Sequence, residues 1–292
     1  MSKFERGIKN QLFIDELNQQ RMVAGSFWQQ IVNDNSLFIA IRKESINVYY
    51  KGNSLVRIIY DNGLRCYTHY KFIINPDYKN AYIESNGNGG FIVQNPSKML
   101  INSLREISLI KKAIKAYSGE EKSGVHNISC IASDVIDVEI AFSGNNGLTA
   151  TKDRIDFLRL KEYNNELHLV FYEAKHYTNK EIRAKVATNI PVVKQLGKYQ
   201  NCIISHQSEI IASYRLVCKN LVDLGLTTNR PLTKKVDAGM QLYVDSNPTL
   251  VIFGYDEDQR NGNIYKNKMN QLKSQITGPV IAKGNATSFK VF

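Results

Sequence analysis

Two segments decide how this chain is read: Arg154-Ile155-Asp156-Phe157-Leu158, and Leu169-Val170-Phe171-Tyr172-Glu173-Ala174-Lys175. Each is a short apolar run next to a polar, turn-forming stretch, residues 144–153 before the first and 161–166 between the two, so the pair predicts a β-hairpin. Successive side chains of a strand point to opposite faces. Glu173 and Lys175 therefore share a face, and pairing brings them within reach of Asp156. Two carboxylates facing each other on adjacent strands repel unless a cation sits between them, which argues for a hard divalent metal. A lysine beside them can orient or help deprotonate an attacking water and offset charge developing on a phosphate. The simpler reading is a pair of solvated strand charges, since Glu-x-Lys is common on surface strands.

Working outward, residues 135–142 predict a strand before the hairpin. Residues 191–224 carry helical spacing from Pro191, a residue suited to the first helical position, with a break near 205–208. Residues 249–255 predict a buried strand, 264–276 a helix and 279–282 a last strand. Upstream, Leu100, Leu104, Ile107, Ile110, Ile114 and Tyr117 recur at spacings of three and four, predicting a helix over 97–117 that Ser97 caps and Gly119 ends. Before it, strands are predicted at 37–41, 46–50, 55–60, 66–74, 81–84 and 91–94, with turns at Gly52-Asn53 and Asn62-Gly63. The run Asn86-Gly87-Asn88-Gly89-Gly90 precedes a strand rather than a helix, so it reads as a hairpin turn and not as a phosphate cradle. The order is α/β (α+β), with a β-rich region at 1–95 and a second domain at 96–292, divided near Asn95-Pro96.

With 292 residues, 43% of them apolar, the chain can bury a sizeable core. Its formal charge of +11 favours a polyanionic partner and is spread almost evenly along the sequence. The first twenty residues mix charges through their apolar positions, unlike a secretory signal, and no run approaches the length of a membrane span. Cys66, Cys130, Cys202 and Cys218 are widely separated, so reduced thiols in a cytoplasmic protein are expected. His69, His126, His168 and His206 show no metal-ligand spacing, while His176 directly follows Lys175 and reads as polar surface or as a contact to phosphate. Trp28 and the tyrosines at 49, 50, 60, 67 and 70 read as strand and core packing rather than as base-stacking surface.

The Asp156 strand followed by Glu173-Ala174-Lys175, 17 residues on, resembles the PD-(D/E)xK nuclease superfamily, and Gln195-Leu196-Gly197-Lys198-Tyr199 resembles the Q-x-x-x-Y motif of its RecB-type branch. The likeness covers about residues 97–205; residues 1–95 resemble no named family. It implies a restriction-endonuclease-like core, a mixed central sheet flanked by helices. It further implies a Mg2+- or Mn2+-dependent deoxyribonuclease in which Asp156, Glu173 and the Ala174 carbonyl hold metal and Lys175 serves the chemistry. Gln195 and Tyr199, four apart on one helix face, would contact DNA; the alternative is that Tyr199 is core, in a stripe with Val192, Leu196 and Ile203. Family members carry a further upstream acid, for which Glu139 is preferred and Glu106 is the other candidate. Some relatives hold an iron–sulfur cluster, but two distant downstream cysteines do not supply its ligands, so none is expected. End- or single-strand-dependent cutting in repair or defence is implied, with a helicase or other subunit as a partner. The rivals are a sequence-specific restriction-type endonuclease whose specificity is read by residues 1–95, and a non-cleaving nucleic-acid-binding or assembly module. Replacing Asp156, Glu173 or Lys175 is expected to leave the fold intact.

Overall fold

Alternation of buried and partly exposed residues along 64–69, and unbroken burial along 169–175, give this chain two different kinds of β-sheet. The computed structural model describes residues 4–73, 82–85, 89–92, 99, 101–142, 154–182 and 190–289. Two compact units emerge, one of residues 6–126 with 220–226, the other of residues 1–5, 127–219 and 227–292. The division falls between His126 and Asn127, some thirty residues beyond the Asn95-Pro96 boundary read from the sequence. That dipeptide, Ser97, Leu100, Asn86–Asn88 and the 144–153 connection lie outside the described residues.

In the first unit, helices α1 (Gln11–Met22) and α2 (Phe27–Val32) precede a six-stranded antiparallel meander: β1 (Phe38–Arg42), β2 (Ser45–Tyr50), β3 (Asn53–Tyr60), β4 (Leu64–His69), β5 (Tyr82–Ser85) and β6 (Phe91–Ile92). The strands fall where the sequence placed them, except that the one expected over 66–74 ends at His69 and gives way to a 3-10 turn at Tyr70–Phe72; α1 was not expected. Its apolar residues are diluted by glutamines and charges, and it is fixed by burying Phe13, Ile14 and Leu17 and by the Asn10 side chain, which accepts the Leu12 amide at 3.0 Å. Trp28, Tyr49 and Tyr50 are buried, as core packing requires, whereas Tyr60, Tyr67 and Tyr70 are half-buried. Helix α3 (Ile107–Lys115) is much shorter than the helix expected over 97–117. Ile101 and Leu104 are buried, as their spacing implied, but outside a helix. The Leu104 amide is taken by the Gly89 carbonyl at 2.8 Å, and the Asn102 amide by the Glu106 carboxylate at 3.2 Å. Backbone donors used by a neighbouring strand end cannot also build a helical turn. A further helix, α4 (Glu120–Ile131), carries no clean apolar period and went unread; the division between the units falls within it.

The second unit is built on β7 (Val135–Ala141), β8 (Arg154–Tyr163) and β9 (Glu166–His176), followed by α5 (Pro191–Ser205), α6 (Gln207–Asp223, of which residues 220–223 belong to the first unit) and α7 (Leu232–Asp237). Then come β10 (Leu242–Val244), β11 (Thr249–Phe253), α8 (Glu257–Asn261), α9 (Asn263–Gln275) and β12 (Val280–Ala282). The sheet runs β12-β11-β9-β8-β7, with β10 beside the first part of β9. β8 runs antiparallel to both β7 and β9, whereas β10 and β11 run parallel to β9 and β12 parallel to β11. The result is a mixed α/β unit with β9 at its centre. Covered on both faces, β9 buries every residue from Leu169 to Lys175, and side chains such as Phe171 each contribute about 1.5–3 kcal/mol by leaving water.

The β8–β9 hairpin is tighter than its sequence suggested. Tyr163 pairs with Glu166, and the turn between them is Asn164-Asn165 with φ of 49° and 63°. Asparagine tolerates this left-handed conformation, and two such residues form the turn whose twist suits a hairpin. Among the described residues, no helix is long and apolar enough to cross a membrane.

Candidate active site

The asparagine turn fixes the register, and the register places the acids. Phe157 faces Tyr172 on β9. The ladder ends at that pair, with Asp156 the next residue on β8 and Glu173 the next on β9. On the other side of β8, Val138 faces Phe157 and Ile140 faces Ile155, so Glu139 stands at the position across from Asp156. Glu139, Asp156 and Glu173 thus occupy neighbouring positions on three successive strands. The regular ladder is interrupted here: Glu139 has φ of 51°, and the Ala174 amide donates to Asp156 Oδ2 at 2.7 Å. A non-glycine residue held at positive φ is a strained backbone feature of the kind that gathers at functional sites.

The charges are deeper than a strand-end position would put them. Glu173 is 1% exposed and Lys175 6%, because β9 continues to His176 and lies between β8 and β11. Lys175 Nζ lies 2.8 Å from Glu173 Oε1 and 2.6 Å from Glu181 Oε2. Burial would lower its pKa, but the two carboxylates, with Asp156 nearby, outweigh burial and raise it, so Lys175 is an ammonium. Asp156 moves the other way. Burial and the Glu173 carboxylate raise its pKa well above the ordinary carboxylate range, and the Ala174 amide and Lys175 offset this only in part.

These positions sort the upstream acids. Glu139 lies beside Asp156, although its carboxylate is 3.4 Å from Arg154 Nη1. Glu106 belongs to the first unit, where it accepts the Asn102 amide. Asp137, two residues before Glu139, is fully buried and accepts the Tyr214 hydroxyl at 2.8 Å, a structural role. Gln195 Nε2 donates to Tyr199 Oη at 2.9 Å, so the two residues of the Q-x-x-x-Y motif are joined on one face of α5. Tyr199 itself is 2% exposed, in the stripe with Val192, Leu196 and Ile203. Helix α5 packs on the short 3-10 turn Lys180–Ile182, which carries Glu181. Sequence reasoning missed Glu181: it sits six residues past Lys175, in a turn without periodicity, and only the chain's return toward the sheet brings it to the ammonium.

His176, next on β9, points to the face opposite Glu173 and Lys175, with its Nδ1 2.7 Å from Thr178 Oγ1. It pairs with Phe253 across the β9–β11 ladder, and its ring packs against Gly254, where φ is 80° and an added Cβ would overlap the imidazole. Gly254→Ala is expected to destabilise the protein by about 1–3 kcal/mol for the backbone conformation alone, with further loss from displacing the ring. Thermal melts of the variant and the wild type measure it; an unchanged midpoint would contradict the packing described.

Among the described residues, no three His, Cys, Asp or Glu side chains converge as a ready-made metal centre. What the donor chemistry fits is a hard divalent ion held by two carboxylates, Asp156 and Glu173, the rest of its shell coming from backbone, water and substrate oxygens. A cation there would offset the burial and the Glu173 repulsion that hold Asp156 toward its protonated form. No family model matches this chain, and no curated protein or solved structure does either, so its functional reading stands on these residues alone.

Proposed function

We propose that this chain is a divalent-metal-dependent nuclease that hydrolyses phosphodiester bonds in DNA, with Asp156, Glu173 and Lys175 at its active site. The observation that carries the reading is the hairpin register that brings a buried Glu-x-Lys against Asp156. The order of α4, three antiparallel strands, α5 and a parallel β11 agrees with a restriction-endonuclease-like core. Asp156 and Glu173 would hold Mg2+ or Mn2+, with the Ala174 carbonyl as a further ligand and Glu139 as the neighbouring acid. Such an ion supplies Lewis-acid stabilisation and a more acidic bound water. Lys175, kept charged by its carboxylate neighbours, acts as a cation toward the negative charge gathering on the phosphate rather than as a base toward water. Gln195 and Tyr199 on α5 would line the approach of the DNA strand, and residues 1–95 would serve substrate or partner binding, a helicase among the candidate partners.

One observation favours a second reading, a non-cleaving nucleic-acid-binding module: Lys175 is engaged by two acids, and no three acids converge among the described residues. Purified protein incubated with Mg2+ or Mn2+ on linear and covalently closed circular DNA separates these. Faster loss of the linear form is expected, in keeping with an end-dependent nuclease. Equal rates on both forms would favour a restriction-type endonuclease, and absence of cleavage on either would leave the binding module.

A further inference from the structure

Lys175 has one carboxylate neighbour more than the proposed chemistry needs. Glu173, with a side chain 2% exposed, is the one assigned to metal. Glu181 differs in place and in exposure. It comes from the short turn Lys180–Ile182 rather than from the sheet, and its side chain is 41% exposed, while its Oε2 is buried against the ammonium. A half-exposed carboxylate on a turn can return to water at small cost, whereas the buried Glu173 cannot. The 2.6 Å contact therefore sets a displaceable anion on the ammonium to which the nuclease reading assigns the scissile phosphate. A phosphodiester carries the same single negative charge as the carboxylate it would replace, and its non-bridging oxygens likewise accept from an ammonium.

We propose that Glu181 is an internal competitor for the substrate phosphate, occupying Lys175 in the free protein and yielding it when a phosphodiester binds. The proposal rests on the nuclease reading for the identity of the ligand. It concerns binding, because a competing anion weakens capture and leaves the bound complex unaltered. Keeping Lys175 paired while the site is empty also avoids leaving a buried ammonium beside a single carboxylate.

The test is Glu181→Gln in the full chain, which keeps the shape and removes the charge. Affinity for a single-stranded oligonucleotide is measured in Ca2+, and KM and kcat in Mg2+. About tenfold tighter binding and a correspondingly lower KM, with kcat little changed, are expected. Glu257→Gln, at the exposed start of α8, measures what the loss of any surface negative charge does to DNA affinity. A gain no larger than that of Glu257→Gln, or weaker binding, would overturn the proposal. In a Lys175→Met background that still folds, the gain should vanish; persistence there would overturn it as well. The two readings fail separately. Tighter binding with no cleavage by any variant removes the nuclease and keeps the competitor, while cleavage without the gain does the reverse. If no oligonucleotide binds at all, both fall.

Discussion

Asp156→Asn is expected to reduce metal-dependent cleavage by about a hundredfold to a thousandfold, the usual loss for one electrostatic stabiliser of the reacting centre, and to leave the protein at least as stable as wild type at neutral pH. The stability half follows from the charge. Asp156 is held above the ordinary carboxylate range by burial and by Glu173, so the folded state binds its proton more tightly than the unfolded state does. Its contribution is therefore most favourable at acid pH and declines as pH rises from the ordinary carboxylate value through the raised one. Asparagine carries no charge to bury, and the variant escapes that decline. Its side-chain oxygen can still accept the Ala174 amide. Mg2+ should raise the melting temperature of the wild type more than that of the variant, since an ion that binds only the folded state stabilises it in proportion to its affinity. Melts across pH with and without Mg2+, alongside cleavage rates, measure both halves. A variant that cuts at near wild-type rate would remove Asp156 from the site.

Lys175→Met is expected to behave oppositely in stability while also losing cleavage. For Lys175 the burial of its ion pair with Glu173 replaces the expectation from sequence that the fold would stay intact. Lys175 and Glu173 form an ion pair with side chains 8% and 2% exposed, and removing one partner of such a pair typically costs about 3–5 kcal/mol because the other charge stays buried alone. Glu173 can limit that loss by taking up a proton, so the deficit should shrink as pH falls. Denaturant unfolding at neutral and mildly acid pH, set beside cleavage and oligonucleotide binding, gives the comparison. Full stability at neutral pH would mean that Glu173 is compensated by other groups, and wild-type cleavage would mean that Lys175 takes no part in chemistry.

The sequence by itself determined the elements whose pattern is local and repeated. The alternating runs of the meander, the unbroken apolar stretches of β8 and β9, and the long stripe broken near 205–208 into α5 and α6 all declare themselves, because burial of one face imposes a period on the chain. Asp156, Glu173 and Lys175 were legible for the same reason, as charges embedded in apolar strands. α1 and α4 were not, since each is stabilised by burying a few residues within a polar sequence. The helix expected over 97–117 forms only at Ile107–Lys115, since a partner outside it, the Gly89 carbonyl, claims the Leu104 amide. Tertiary structure alone decided the depth of the site. β9 became a central strand only when β11 paired along it, and that pairing buried charges which the sequence placed at a solvent edge. It also brought Glu181 to Lys175. No sequence period links a strand residue to a turn residue six positions on, and the contact exists because the chain folds back on the sheet and a buried ammonium draws a carboxylate to it.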